Sequence, residues 1–286
     1  MSSRLYKILL ILGIVFIIVA LSLFWLYWRQ PEKLEVDFLD VGQGDAILIK
    51  APAGQNILID GGPDKAILKR LAENTAWWDK QIDLMILTHP HDDHVSGLID
   101  VIKRYQVKEI LYSGVIHNSP NFLAWLELIK NKKIKLTIID RPQTVKLGQN
   151  CQLEIIYPQE SFLGKEVENL NDSSLAVKLI YGQTKFLFTG DLEQVAEEKI
   201  LASSVNIAAN VLKVGHHGSD TSSSEAFLDK VQPQFAVISV GKDNDFGHPS
   251  LRVIKRLERL GAKVLRTDQE GTVRLVSDGA KVELSE

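Results

Sequence analysis

The stretch Thr88-His89-Pro90-His91-Asp92-Asp93-His94 carries three imidazoles and two carboxylates within six of its residues. The apolar run 84–87 just before it predicts a short buried strand that ends at the histidines. His-x-His spacing on an extended backbone points two imidazoles the same way, and zinc and its first-row neighbours accept imidazole and carboxylate ligands. Four residues are therefore interpreted as metal ligands: His89, His91, Asp93 and His94. Asp92, between ligands, is expected to be exposed or to cap a helix.

Residues 34–286 alternate between short strand-like and longer helix-like segments, with turn-forming residues between them. The helical spacing predicts helices at 65–76, 97–105, 121–132, 192–201, 224–230 and 249–260. The β-rich segments between them include a predicted hairpin through Gly182-Gln183. This pattern favours mixed sheets covered by helices, an α/β sandwich that occupies residues 34–286 as one domain.

An apolar run without charged residues extends from Ile8 to Trp28 and is interrupted only by Gly13 and Ser22. A helix of this length would be about 30 Å long, which matches the hydrocarbon core of a bilayer. We therefore expect residues 1–33 to hold a short tail, one transmembrane helix and a linker. A cleaved signal peptide and a buried helix are the alternatives, but the aromatic residues that end the run favour an uncleaved anchor.

Basic residues flank this run on both sides, Arg4 and Lys7 before it and Arg29 and Lys33 after it. The positive-inside rule then favours a cytoplasmic N-terminus and a single-pass cell-membrane protein whose catalytic domain, beyond Pro31, is extracytoplasmic. The single cysteine, Cys151, cannot form an intrachain disulfide and carries no information on the compartment.

The formal net charge of −3 excludes a chain-wide attraction to phosphate backbones. Any binding of nucleic acid must therefore be local. Six basic residues form either a basic rim around a site or an ordinary solvated helix face: Lys213, Lys242, Arg252, Lys255, Arg256 and Arg259.

Several motifs besides 88–94 follow one another in a fixed order. They are Phe38–Ala46, Leu58–Gly62, Asn171–Leu175, Phe188–Asp191, Leu212–Ser219, Phe246–Pro249 and Arg266–Asp268. Together they resemble the metallo-β-lactamase domain of ComEC-type competence proteins over about residues 34–276. The resemblance implies an αββα sandwich, here preceded by the expected transmembrane helix, and a divalent metal site.

Asp191 follows the apolar residues 186–188 in a Thr-Gly-Asp turn. From spacing alone it is equally a metal ligand or the N-cap of the next helix. The resemblance implies that it is the carboxylate that bridges two metal ions.

His216 follows the apolar strand predicted at 211–214, and the resemblance implies that it binds the second metal with Asp93 and His94. His217 is then its neighbour in the pocket, although a turn between them could exchange the two roles. His248 lies in a Gly-His-Pro turn, where it could contact substrate or donate a proton to a leaving oxygen. The candidate catalytic residues are thus Asp93, Asp191, His217 and His248.

The chain departs from the commonest superfamily pattern at Asn171-Asp172-Ser173-Ser174, where many members have a third histidine for the first metal. ComEC-like domains share this departure. Water or Asp172 would then complete the first metal's shell, and oxygen-rich coordination makes manganese a rival to zinc as the pair of divalent ions. Asp40 and Asp60 are expected to support the ligand histidines as hydrogen-bond acceptors, with Asn171 and Asp172 also beside the ligands.

A site with two divalent ions suits hydrolysis, because the ions activate water and neutralise charge that develops on a substrate oxygen. The resemblance implies a nuclease that acts on single-stranded DNA during uptake in competence. Since one predicted span cannot form a DNA channel, we also expect a separate channel protein as partner and the membrane as an anchor.

Two other hypotheses remain open. One is a surface esterase for a small phosphodiester such as a choline-phosphate ester, or for another ester. The other is a metal-binding component of an envelope assembly with little turnover.

Overall fold

The computed structural model describes residues 3–28 and 33–285. The chain divides into two compact units, Met1–Glu32 and Lys33–Glu286. The first unit contains one helix, α1 (Ser3–Trp28). The linker expected around residues 30–33 falls largely on residues 29–32, which lie outside the described part of the chain.

The structure contradicts the prediction of a transmembrane anchor. A helix that crosses the hydrocarbon core needs about 20 consecutive apolar residues. Within residues 3–28 and 33–285, no helix has the length and apolarity that a membrane crossing requires. The prediction of a spanning helix between Ile8 and Trp28 is therefore wrong, and the single-pass cell-membrane location and the extracytoplasmic placement that were inferred from it are withdrawn.

The second unit contains two sheets. Strands of the first sheet are β1 (Leu34–Phe38), β2 (Ile47–Lys50), β3 (Asn56–Ile59), β4 (Gln81–Ile86), β5 (Gln106–Tyr112), β6 (Lys135–Ile138), β14 (Val273–Ser277) and β15 (Val282–Leu284). Their order is β15-β14-β1-β2-β3-β4-β5-β6. The pairs from β3 to β6 are parallel, and the others are antiparallel.

Strands of the second sheet are β7 (Gln143–Lys146), β8 (Cys151–Tyr157), β9 (Ala176–Tyr181), β10 (Thr184–Phe188), β11 (Val211–Lys213), β12 (Phe235–Ile238) and β13 (Lys263–Arg266). Their order is β13-β12-β11-β10-β9-β8-β7. Strands β9 and β10 form the hairpin predicted through Gly182-Gln183. The strands from β10 to β13 are parallel.

Helices cover the outer face of each sheet. The first sheet packs against α2 (Ala66–Asn74), α3 (Asp92–Arg104) and α4 (Pro120–Lys132), and the second against α5 (Gln194–Ala202), α6 (Glu225–Val231) and α7 (Leu251–Arg259). The short helix α8 (Thr267–Glu270) leads from β13 towards β14. This arrangement confirms the predicted α/β sandwich.

The two sheets bury their inner faces against each other. Phe38 of the first sheet contacts Phe188 of the second with ring centroids 6.1 Å apart, and Phe186 stacks behind Phe188 at 6.5 Å. All three side chains are essentially inaccessible to solvent. Because full burial of each such side chain contributes about 1.5–3 kcal/mol, this inner layer is a main source of the unit's stability.

Parallel pairing brings the sequence motifs to one end of the sandwich. Strands β3 and β4 in one sheet, and β10, β11 and β12 in the other, are parallel neighbours. The carboxyl ends of parallel strands lie at the same sheet edge, where ligands of open α/β sheets commonly bind. The loops that follow these five strands carry Asp60, the 88–94 stretch, Asp191, the two histidines 216 and 217, and Ser239.

Helix α3 begins earlier than predicted, at Asp92 instead of near Gly97. His91 is its N-cap, and Asp92 and Asp93 occupy its first turn. Negative side chains are favourable there because the N-terminus of a helix carries partial positive charge. Asp93 and His94 therefore project from a helical turn, which holds them more firmly than a loop would.

The close contact between α3 and the turn after β3 depends on glycine. Gly97 donates its N–H to the Gly62 carbonyl at 3.0 Å, and Gly61 donates to the His94 carbonyl at 2.8 Å. A Cβ atom added to Gly97 would collide with the Gly61 carbonyl oxygen. The missing side chain thus lets α3 lie against the turn that carries Asp60.

We expect Gly97→Ala to destabilise the second unit by about 1–3 kcal/mol, because the added methyl group meets fixed backbone. Urea unfolding of the full chain measures the change. Asp100→Ala on the same helix is the matched control, since its side chain is partly exposed and its ion pair with Lys103 is long, at 3.7 Å. Equal stability of the two variants would show that the helix shifts without cost.

Candidate metal centre

Four side chains converge at the carboxyl ends of β4, β10 and β11: Asp93, His94, Asp191 and His217. His94 Nε2 lies 3.3 Å from Asp191 Oδ2 and 3.8 Å from Asp93 Oδ2. His217 Nε2 lies 3.2 Å from Asp93 Oδ2 and 3.3 Å from Asp191 Oδ2. Ligands about 2.1 Å from a tetrahedral metal ion are about 3.4 Å from one another, so these atoms already have the spacing of one coordination shell.

The hydrogen bonding of the cluster also fits a metal ion. Within the described part of the chain, the buried atoms His94 Nε2 and Asp191 Oδ1 have no hydrogen-bond partner. Buried polar groups are rarely left this way unless a water, ion or catalytic role accounts for them. Two imidazoles and two carboxylates are also a donor set that zinc and manganese accept.

Charge coupling in the cluster agrees with this assignment. Burial alone would lower the pKa of His217, but the carboxylates of Asp191 and Asp93 outweigh it and raise this pKa to about 10. The same carboxylates, together with Asp60, raise the pKa of His94 against the effect of burial. Burial opposes ionisation of Asp191, yet His217, His94 and Lys213 hold its pKa well below the usual range. Protons on the two histidines thus balance the carboxylates, and a divalent cation would take their place.

Asp60, one of the predicted supporting residues, contacts this cluster. Its Oδ2 accepts from His94 Nδ1 at 2.8 Å and from the Thr88 hydroxyl at 2.7 Å, and its Oδ1 accepts from the Thr88 amide at 2.8 Å. Asp60 has a φ of 57°, in the left-handed region, directly before the two glycines of its turn. The carboxylate fixes the ring of His94 so that Nε2 faces the other candidate ligands.

His89 and His91 lie beside the cluster as a separate pair. His89 Nε2 is 3.0 Å from His91 Nδ1, and the rings of His89 and His94 are 4.2 Å apart. Burial holds the pKa of both histidines below the usual value, which keeps them neutral. Among the described residues, no third ligand-type side chain joins this pair as closely as the four cluster residues join one another. The pair therefore forms a less complete site than the cluster.

The structure brings His217, not His216, into the cluster, so the expected order of the two histidines is reversed. Both residues have left-handed backbone angles, with φ of 47° at His216 and 52° at His217. Non-glycine residues in this region are strained, and such strain gathers at functional sites. The turn re-aims His217 towards Asp191, and its Nδ1 donates to the Ser239 carbonyl at 2.8 Å.

His216 lies at the rim of the cluster instead. Its Nδ1 is 3.0 Å from Glu193 Oε1 and 3.2 Å from the Thr221 hydroxyl, and about a quarter of its side chain is exposed. Asn171 Nδ2 lies 3.4 Å from His216 Nε2 and donates to Glu193 at 3.0 Å. Asn171 therefore supports the rim histidine and does not take the place of a ligand.

Two other residues expected to support the ligand histidines, Asp40 and Asp172, have different partners. Asp40 pairs with Arg70 of α2 at 2.8 Å and does not reach the histidines. Asp172 accepts from the Glu193 amide at 3.2 Å, close to the start of α5, so it does not complete a shell around His89 and His91. Of the four predicted supports, Asp60 is the one that contacts a cluster ligand.

His248 lies on the loop after β12, with its ring 5.5 Å from the ring of His216. Burial and the neighbouring His216 lower the pKa of His248. Asp92 is exposed at the start of α3, where its Oδ1 accepts from the Ser119 hydroxyl at 3.3 Å.

Lys213 and Asp45 form a buried ion pair behind the cluster that was not predicted. Lys213 also donates to the Gly190 carbonyl at 2.9 Å and lies 3.5 Å from Asp191 Oδ1. Asp45 Oδ1 in turn lies 3.5 Å from His217 Nδ1. The sequence feature that could have revealed this ion pair is the lysine in the apolar strand Val211–Lys213, because a charge at such a position requires a buried partner.

The basic-rim alternative is therefore excluded for Lys213, whose side chain is fully buried. On α7, Arg259 pairs with Glu225 at 3.0 Å and Arg252 lies 3.5 Å from Asp220. These two carboxylates offset two of the four positive charges of the helix, which favours the solvated-face interpretation.

We expect His217→Ala to weaken binding of one zinc or manganese ion by more than about 100-fold, because it removes a cluster ligand. His216→Ala is the matched control and should change the affinity by less than about 3-fold. Isothermal titration of the metal-free full chain measures both. If His216→Ala caused the larger loss, the geometry given above for the two histidines would be incorrect.

We expect Lys213→Met to lower the free energy of unfolding by about 3–5 kcal/mol, because it leaves Asp45 and Asp191 buried beside each other without a cation. Adding Asp45→Asn should restore part of this loss. Lys185→Met on the neighbouring strand is the control, and chemical unfolding of the metal-free chain is the measurement. Equal effects of the two lysine variants would contradict a structural role for the ion pair.

Comparisons with known proteins agree with this fold. Residues 39–242 match the family model of the metallo-beta-lactamase superfamily. The chain is 31% identical over 275 residues to ComE operon protein 3 of Bacillus subtilis (strain 168), covering 89% of this chain and 34% of that protein. It is 29% identical over 247 residues to competence protein ComA of Neisseria gonorrhoeae, covering 85% of this chain and 32% of that protein. The chain thus spans about a third of the length of these curated relatives.

Among solved structures, the chain resembles Igni18, a metallo hydrolase from the archaeon Ignicoccus hospitalis, with a TM-score of 0.54. The likeness covers 84% of this chain and 98% of that one at 17% identity, which shows a shared fold. The two helix-covered sheets are the sandwich that the resemblance implied, and the curated relatives confirm the resemblance to ComEC-type competence proteins. The chain belongs to the metallo-β-lactamase superfamily.

Proposed function

We propose that this chain is a metal-dependent phosphodiesterase that cleaves single-stranded DNA in a process related to competence. The observation that carries the proposal is the cluster of Asp93, His94, Asp191 and His217, whose donor atoms have the spacing of a metal shell. A bound zinc or manganese ion would supply an activated water and neutralise charge on the phosphate oxygens. The competence-related name of the Neisseria relative supports DNA as the substrate.

The residues around the cluster have separable tasks in this reaction. Asp60 and the Ser239 carbonyl fix the rings of His94 and His217, and Lys213 of the Asp45–Lys213 pair places a positive charge 3.5 Å from Asp191 Oδ1. His216 and His248 lie at the rim, where a leaving oxygen would emerge. Glu193 and Asn171 orient His216, and His248 lies beside it, where it would be positioned to contact substrate.

A small phosphodiester is the second candidate substrate, because the charge around the rim disfavours a polyanion. Glu193 contacts His216, and Asp220 compensates Arg252. Asp243 and Asp245 are exposed on the loop that carries His248. A substrate with a cationic group, such as a choline-phosphate ester, would suit these carboxylates. A separate DNA-uptake channel remains a further proposal for the DNA-directed function.

We expect the metal-free chain, reloaded with manganese or zinc, to hydrolyse bis(p-nitrophenyl) phosphate and labelled single-stranded DNA. Asp191→Asn should lower both rates by more than about 100-fold, since it removes the charge that faces both cluster histidines. Asp92→Asn is the matched control, because this carboxylate lies in the same motif but outside the cluster. Release of nitrophenolate and gel analysis of the DNA are the measurements.

The substrates separate the competing hypotheses. Cleavage of the small diester and of a choline-phosphate ester without cleavage of DNA would favour the esterase. Metal binding without turnover of any of these substrates would contradict both enzymatic hypotheses and favour a metal-binding component of an assembly.

A further inference from the structure

The loop between β12 and α7 holds one aromatic side chain out into solvent beside the candidate metal centre. Phe246 is 68% exposed, although apolar rings of this size usually find cover. The loop follows the carboxyl end of β12, the same sheet edge that carries the cluster ligands. Its place at this edge distinguishes Phe246 from the exposed aromatic residues Trp77 and Trp78, which precede the amino end of β4.

Asn244 holds this loop in a defined shape. Its side-chain oxygen accepts from the amides of Phe246 at 3.2 Å and His248 at 3.0 Å, and its amide group donates to the carbonyls of Gly241 at 3.0 Å and His248 at 2.7 Å. Gly247, with φ of 70°, provides the turn between the two rings. Four hydrogen bonds made by one side chain fix the backbone of the loop, and this fixed backbone holds Phe246 in its exposed position.

A series of ring contacts leads from Phe246 to the cluster. Phe246 lies nearly parallel to His248, with an interplanar angle of 18° and centroids 6.0 Å apart. His248 is 5.5 Å from His216, which is 6.2 Å from the cluster residue His217. A flat group that lay on Phe246 would therefore extend a row of rings that ends at the cluster residue His217.

The charges on the loop favour stacking over ionic attraction. Lys242 is accompanied by Asp243 and Asp245, and all three are exposed. The loop therefore has no excess positive charge with which to attract phosphates. What it offers a ligand is the face of a ring, and every nucleobase has a complementary π-face.

We propose that Phe246 is a base-stacking residue that binds the nucleobase next to the cleaved phosphodiester, so that nucleotide-containing diesters are preferred over other diesters. This inference rests on the proposed phosphodiesterase activity and specifies its substrate. It also explains how a site with little basic surface selects a nucleic acid. Single strands are the preferred form, because their bases are free to leave the stack and meet a side chain.

Two esters with the same leaving group test this proposal in the full metal-loaded chain. One is thymidine 5′-(p-nitrophenyl phosphate), and the other is methyl p-nitrophenyl phosphate, which lacks a base. Phe246→Leu should lower kcat/KM for the thymidine ester by about 5- to 150-fold, the effect of losing one base–aromatic stack. It should leave kcat/KM for the methyl ester within about 2-fold of the unchanged chain.

Two further variants serve as controls. Phe246→Tyr retains the ring and should keep the preference for the thymidine ester. Trp77→Leu removes another exposed aromatic, 80% accessible, which precedes the amino end of β4 and is remote from the cluster edge, and should change neither rate. Equal losses of Phe246→Leu on both esters, or no loss on either, would overturn the proposal.

A binding measurement separates this inference from the proposed function. Fluorescence anisotropy of a labelled oligothymidine reports stacking without turnover, and Phe246→Leu should weaken binding by about 5-fold or more. If neither ester is hydrolysed but binding depends on Phe246, the phosphodiesterase proposal fails and the stacking site stands. If the oligothymidine does not bind, or binds equally well to Phe246→Leu, the stacking site is refuted.

Discussion

The burial of carboxylates at one end of the sandwich constrains the rest of the site. Asp45, Asp60 and Asp191 are buried, and Asp93 lies beside them. Withdrawing such groups from water costs several kcal/mol each unless opposite charges and hydrogen bonds compensate. Lys213 provides one permanent positive charge, and His94 and His217 provide others only when they carry protons. A divalent ion would supply what remains, so the metal centre and the local stability have the same electrostatic origin.

The architecture of the two sheets makes this concentration of charge possible. The inner faces are apolar and interlock through residues such as Phe38 and Phe188, which leaves the polar residues to the strand ends. Parallel strands in both sheets then place their carboxyl ends at one edge. Glycines at 61 and 97 bring α3 against the turn after β3, so that Asp60 reaches His94. The core therefore holds the ligands in place before any metal binds.

The surface around the centre bears on which substrate reaches it. Carboxylates compensate the arginines of α7, and the loop after β12 carries more acid than base. A polyanion is not drawn in by net charge, so selection of DNA would depend on the metal ions for the phosphate and on an aromatic ring for the base. The two preferences are physically independent, because one acts on charge and the other on a flat apolar surface.

The sequence by itself determined the fold class and the family resemblance, and it predicted metal ligands within 88–94, because these depend on short-range periodicity and on residues only a few positions apart. It also identified Asp60 and Asp191, which end apolar strands. The tertiary structure decided what depends on distant or strained neighbours. His217 replaces His216 because two consecutive residues adopt left-handed backbone angles, which strand periodicity does not predict. Asp40 pairs with Arg70 because α2 packs on the first sheet. Asp45 pairs with Lys213, 168 positions later in the chain, because the two sheets pack against each other.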